Sequence, residues 1–193
     1  KIAHKPLLDL FNKYAIVGGM PEVVSAYVEN QSIVQLISIY ESIWTSYMDD
    51  VENYATTPSA KQVIKFIMKI APTFIDQRIK YQNFGNSNYK SREVGEAFRD
   101  LDKAKVIRLI YPTTSMVPPI ALDFKKSPRI QLLDTGIVNH SLEIVHELLK
   151  LNDLSESYKG ALIPHIIYQE LISLQSKKLH TPSFWVREKA QSS

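Results

Sequence analysis

The chain has 193 residues, 45% of them hydrophobic and 22% charged, with a net charge of +3 and no cysteine. That composition supplies a packed core and excludes global disorder, disulfides and thiolate metal sites. The charge is too small to mark a nucleic-acid binder, so any basic patch has to be local, and no apolar run reaches the about 18 residues of a membrane span. No signal peptide is visible, and the lack of cysteine fits a reducing, cytoplasmic setting. The chain begins at Lys1 and stops just after a strand-like run, so it is expected to be a piece of a longer protein.

Residues 6–30 open with a short helical pattern that Gly18-Gly19 interrupts, and Pro21 is well placed to begin a second helix. "VGGMP" lacks the Lys-Ser/Thr pair of a phosphate loop and reads as a hinge or tight turn. Residues 32–51 give the clearest helix, with Ile33, Leu36, Ile37, Tyr40, Trp44, Tyr47 and Val51 three or four apart. Asp49, Asp50 and Glu52 form an acidic, solvated end. A third helix is capped by Thr57, begins at Pro58 and stops before Pro72. It turns Val63, Ile64, Phe66, Ile67 and Ile70 inward and a row of Lys61, Lys65 and Lys69 outward.

Beyond the polar turn "NFGNSNYK", Ser91 is expected to cap a helix running to about Lys105. Its buried stripe is Val94, Ala97, Phe98, Leu101 and Ala104, and its outer stripe is Arg92, Glu96, Arg99 and Lys103. Three short strands follow, "VIRLIY", "PPIALDF" and "RIQLLD". Helix, turn, helix and β-ribbon is the order of a winged helix, which makes Lys90, Arg92, Arg99, Lys103 and Arg108 the candidate nucleic-acid contacts. Six basic and four acidic residues lie between 90 and 108, so protein packing by this helix stands beside DNA contact.

"LLDTG" turns at Asp134-Thr135-Gly136 into a further helical stretch. His140 and His146 are six apart and cannot share one helix face, and with His165 and His180 they read as scattered surface histidines. In "GALIPHIIYQEL" a helix starts near Pro164 and runs to about Leu174. Ile163, Ile166, Ile167, Glu170, Leu171 and Leu174 share one face, which makes Glu170 an acid among apolar residues. It is the candidate catalytic residue, with a salt bridge to a side chain such as Arg187 as the structural alternative. "PSFWVREK" alternates as a half-buried strand.

"YAIVGGMPEVVSAYVE", "PRIQLLDTGIVN", "KGALIPHIIYQEL" and "FWVREK" together resemble the C-terminal domain of unknown function DUF4143 of prokaryotic AAA+ superfamily ATPases, over nearly the whole chain. The resemblance implies a preceding ATPase domain, which would bring ATP and Mg²⁺ to the parent protein only. It also implies a winged-helix-like middle and a PD-(D/E)xK nuclease-like end whose carboxylates hold Mg²⁺. Glu170 matches the helix glutamate of that pattern and Gly160 its glycine, while Pro164 stands where a further glutamate is common. Phe184 to Lys189 match the first strand; the next acid would lie beyond Ser193, and Glu188-Lys189 is not acid-x-Lys.

The expected fold is therefore α+β and predominantly helical. It comprises a helical region 1–56, a winged-helix-like unit 57–133 with a small β-ribbon, and a helical connection with an incomplete nuclease-like part, 134–193. The expected function is that of a non-catalytic accessory fragment, without cofactor or metal of its own and not in a membrane, that binds DNA or a partner. The alternatives are part of a Mg²⁺-dependent nuclease and an interaction or oligomerisation module that forms homo-oligomers.

Overall fold

Local chemistry explains most helix ends in the computed structural model, which describes residues 4–55, 57–150, 160–174 and 182–187. Helix α1 (His4–Val17) ends at Gly18, whose φ of 72° is a left-handed conformation that costs glycine little. Helix α2 (Pro21–Asn30) starts on its proline, and α3 (Leu36–Tyr54) follows. Since α3 runs to Tyr54, Asp49 and Asp50 lie inside its last turns, both exposed, and the Glu52 side chain is outside the described residues.

Helix α4 (Pro58–Ile70) is capped by Thr57, whose Oγ1 accepts from the Ala60 N–H at 3.2 Å. It buries Val63, Ile64, Ile67 and Met68, while Phe66 and Ile70 are only partly buried. Of the lysine row, Lys69 is exposed but Lys61 and Lys65 are half-buried. Helix α5 (Ser91–Lys103) is capped by the residue before the expected one. Ser91 is already helical, Lys90 holds the cap position, and the Glu93 carboxylate accepts from the Lys90 N–H at 3.0 Å. Its buried side is Val94, Gly95, Ala97, Phe98 and Leu101, as the periodicity requires. Phe98 meets Phe84 edge-on at 5.0 Å between ring centroids and stacks with Tyr81.

Strand β1 (Ile107–Ile110) pairs antiparallel with β3 (Arg129–Leu132), Ile107 opposite Leu132 and Ile110 opposite Arg129. The intervening "PPIALDF" forms no strand. Pro118 and Pro119 have no N–H to give to a ladder, and the segment crosses as an irregular loop. On the other side of β3, residues 75–79 take its free edge, with Asp76 N–H donating to the Ile130 carbonyl at 3.0 Å and Ile79 N–H to the Pro128 carbonyl at 2.9 Å. Strand β2 (Pro112–Thr113) pairs in parallel with β4 (Phe184–Trp185). Phe184 and Val186 are partly buried and Trp185 and Arg187 exposed, the alternation read from the sequence.

The remaining helices are α6 (Thr135–Ser141), α7 (Val145–Leu148) and α8 (Leu162–Ser173). Helix α8 begins two residues before Pro164, which puts that proline in the first turn, where its missing N–H leaves no gap in the helix. The fold is thus α+β and mostly helical, with one small antiparallel and one small parallel sheet. One buried cluster draws on all three sequence segments, including Val23, Phe98 and Ile137. A smaller one joins Ala15 and Ile16 of α1 to Leu148, Leu162 and Ile166. No helix among the described residues is long and apolar enough to cross a membrane.

Candidate functional site

Asp134, 2% exposed at the start of α6, ties three separate segments together. Its Oδ1 accepts from the Ile137 N–H at 3.1 Å and caps the helix; its Oδ2 accepts from the Gly19 N–H at 2.6 Å and from Gln169 Nε2 at 3.3 Å. Thr135 Oγ1 donates to Gln169 Oε1 at 2.7 Å, so α8 is held to the cap at two points. The Tyr40 hydroxyl donates to the Val17 carbonyl beside this carboxylate, and burial, followed by the Asp134 charge, raises its pKa. Close backbone approach requires glycine here. A Cβ on Gly18 would lie 2.7 Å from the Gly136 nitrogen, and one on Gly136 would lie 2.6 Å from the Val17 carbonyl oxygen. "VGGMP" and "LDTG" are therefore the two halves of one joint. The joint holds α1, α3, α6 and α8 together through these bonds.

Beside it runs a second polar chain. Arg129 Nη1 donates to both Asp76 oxygens, at 3.0 and 3.2 Å, and Gln131 Nε2 donates to Asp76 Oδ1 at 3.3 Å. That bond turns Gln131 Oε1 toward Nδ1 of His165, which therefore carries the ring proton. His165 is fully buried, contrary to its reading as a surface histidine, and its Nε2 has no hydrogen-bond partner among the described residues. Burial pushes its pKa down to about 4, with the Asp134 backbone acting against the shift. On the sheet's outer edge, Arg129 lies 4.7 Å from the Phe184 ring centroid, a cation–π contact that pins the last described strand.

Glu170, the candidate catalytic acid, is exposed. Its Oε1 accepts from the Tyr14 hydroxyl, whose pKa is raised first by burial and then by this bond; Arg187 is not its partner. Among the described residues no three His, Asp or Glu side chains are grouped to hold a metal ion. Glu170 is thus a surface carboxylate that ties α8 to α1. The apolar face assigned to α8 is also corrected. The buried residues are Leu162, His165, Ile166 and Tyr168, whereas Ile167 is 54%, Leu171 45% and Leu174 54% exposed. Helix α8 packs through the side that reaches Asp134 and Gln131, and hydrogen bonding there outweighs the greater hydrophobicity of the other side.

The five candidate nucleic-acid contacts differ in their surroundings. Arg92 pairs with Glu96 at 2.8 Å and Lys103 with Asp100 at 3.3 Å, in turns of the same helix. Lys90, at the cap of α5, and Arg99, on α5, are exposed. Arg108, on β1, is half-buried and acts electrostatically on Asp102 and Tyr168. Asp102 accepts from the Leu109 N–H at 3.1 Å, and burial raises its pKa. The outer face of α5 is therefore laced with intrahelical ion pairs rather than presenting a single-sign field.

His140 and His146 do converge, although no single helix face could hold both. The chain reverses between α6 and α7, with Glu143 at φ 56°. Both histidines then line a cleft of about 630 Å³ together with Ile37, Glu41, Trp44 and Met48 of α3. The sequence held no signal for this cleft beyond the helix break itself. His180, Glu188 and Lys189 lie outside the described residues.

A family model described as Domain of unknown function (DUF8612) matches residues 8–148. The chain belongs to this family. No curated protein and no solved structure matches it. The match covers the joint at Asp134 and the whole cleft, while α8 and β4 lie past its end.

The likeness to DUF4143 is overturned by this assignment, because the matching family is a different one. The AAA+ association, the preceding ATPase domain, the winged-helix assignment and the nuclease-like part lose their support with it. The reason is physical. "VGGMP" is a helix-ending glycine followed by a first-turn proline, and "LDTG" is a capping aspartate. Unrelated helical proteins reach these same local solutions, so the motifs report backbone geometry rather than descent.

Proposed function

We propose that this chain is a non-catalytic interaction module that self-associates through the face shared by α1 and α8. The observation that carries this reading is a pair of uncovered apolar stripes on adjacent helices. Leu7 and Leu10 are each 63% exposed on α1, and Ile167 and Leu171 on α8 and Leu174 at its C-cap are exposed. The Tyr14–Glu170 hydrogen bond joins the two helices. Exposed apolar side chains on two joined helices are the surface that contact sites use. One such patch suffices for a two-fold contact in which it meets its own copy, so self-association needs no further component.

Sedimentation velocity over a dilution series is expected to show a concentration-dependent dimer. Leu10→Lys and Leu171→Lys, both at exposed positions, are expected to leave a folded monomer by circular dichroism. A chain that stays monomeric at high micromolar concentration would sink the reading.

DNA binding is the competing reading, and the exposed Lys90, Arg92, Arg99 and Lys103 are its support. The Arg92–Glu96 and Lys103–Asp100 pairs oppose it, since an anion must displace or repel each carboxylate. Fluorescence anisotropy with a labelled duplex at low salt is expected to give no saturable binding. Saturable binding that weakens with salt and is lost in Arg99→Ala would favour DNA instead.

A further inference from the structure

The cleft between α3 and the α6–α7 turn has the chemistry of a ligand site. Ile37, Trp44, Met48 and Val145 line it with partly buried apolar surface, and Glu41, Glu143, His146 and Lys69 stand exposed at its rim. His140 lies among them, half-buried, with its ring stacked on Tyr40 at 5.9 Å between centroids and 18° between planes. Tyr40 is itself fixed by the Asp134 joint, so the imidazole is held in place before any ligand arrives. Burial lowers the His140 pKa, and Glu41 and then Glu143 act against that shift, which locates both carboxylates within electrostatic reach of the ring. Ser141 also lines the cleft, and its Oγ is buried with no hydrogen-bond partner among the described residues.

We propose that this cleft binds a small organic cation, an alkylammonium group on an apolar stem. Two carboxylates face one ammonium, so with His140 neutral the walls favour a positive ligand over an anion. The neutral imidazole and the unengaged Ser141 hydroxyl are acceptors for N–H donors that a carboxylate pair alone would not satisfy. The Trp44 indole supplies a π face for the cation, and Ile37 and Met48 supply apolar surface for the stem. A metal ion is the poorer fit, because no three of these His and Glu side chains are grouped to coordinate one.

The probe is n-butylammonium, titrated by ¹⁵N NMR against the intact chain, with butyrate as the anionic match of equal length. Saturable shifts confined to α3, α6 and α7 are expected for butylammonium and none for butyrate. Glu41→Gln and Glu143→Gln each remove an exposed charge without touching the core, and each is expected to weaken binding about tenfold, the worth of one charge-assisted hydrogen bond. The proposal is overturned if butylammonium fails to saturate at millimolar concentration, if butyrate binds as well, or if both glutamine variants bind unchanged.

Discussion

Asp134→Ala is expected to lower the stability of the fold by about 3–5 kcal/mol, the loss typical of an uncompensated buried polar network. The substitution deletes the acceptor for two backbone N–H groups, Gly19 and Ile137, and for the Gln169 amide. Hydrogen bonds to a charged group contribute about 1.5–3 kcal/mol each, and buried donors left without an acceptor add their own desolvation cost. The helix cap is lost as well, a further cost of about 1 kcal/mol that overlaps with the first. Asp134→Asn keeps the shape but turns an amide donor toward groups that are themselves donors, so it is expected to fall between alanine and the parent. Urea unfolding followed by circular dichroism measures both. A loss below about 1 kcal/mol for alanine would mean that apolar packing alone holds α1, α6 and α8 together.

The second large effect is a dependence of stability on pH that traces to His165. Its pKa is pushed down to about 4 in the folded chain from an ordinary value of 6.5, chiefly by complete burial. Between those values the unfolded chain binds a proton that the folded chain does not. Stability from this group is therefore fully present above pH 6.5, declines as pH falls, and is lost by about pH 4. A shift of this size corresponds to about 3 kcal/mol at the low-pH end. Carboxylates also titrate toward the acid end, so the diagnostic is the difference between the parent and His165→Gln, which does not titrate. The stability difference between the two proteins is expected to change with pH across this window and to be flat above about pH 7. Parallel stability curves from pH 4 to 7 would show that the imidazole is solvated and titrates normally.

Much of the secondary structure was legible because it depends on near neighbours. The Thr57 cap, the Pro21 and Pro58 starts, the Gly18 stop and the buried stripe of α5 all follow from chemistry within one or two turns. The strand expectation fails at "PPIALDF", whose two prolines have no N–H to give to a ladder. Family descent was misread for a related reason: the motifs that suggested it are caps and turns, which many folds reuse.

The candidate site was less legible. Glu170 drew attention as an acid among isoleucines and leucines, yet the side of α8 that carries it faces outward. Asp134 drew none, since a turn aspartate before Thr-Gly is ordinary in sequence. Its importance comes from Gly19, 115 residues earlier, and Gln169, 35 residues later. Likewise a spacing of six kept His140 and His146 apart on any single helix, and only the reversal at Glu143 brings them to one cleft.

The sequence by itself determined the α+β, mostly helical class, the starts of α2 and α4, the Gly18 stop and the buried stripe of α5, because propensity, capping and periodicity act over a few residues. Only the tertiary structure decided which side of α8 is covered, which histidine is buried and which aspartate holds the joint. Those outcomes depend on hydrogen bonds and desolvation between segments more than thirty residues apart, and no local pattern encodes where such partners meet.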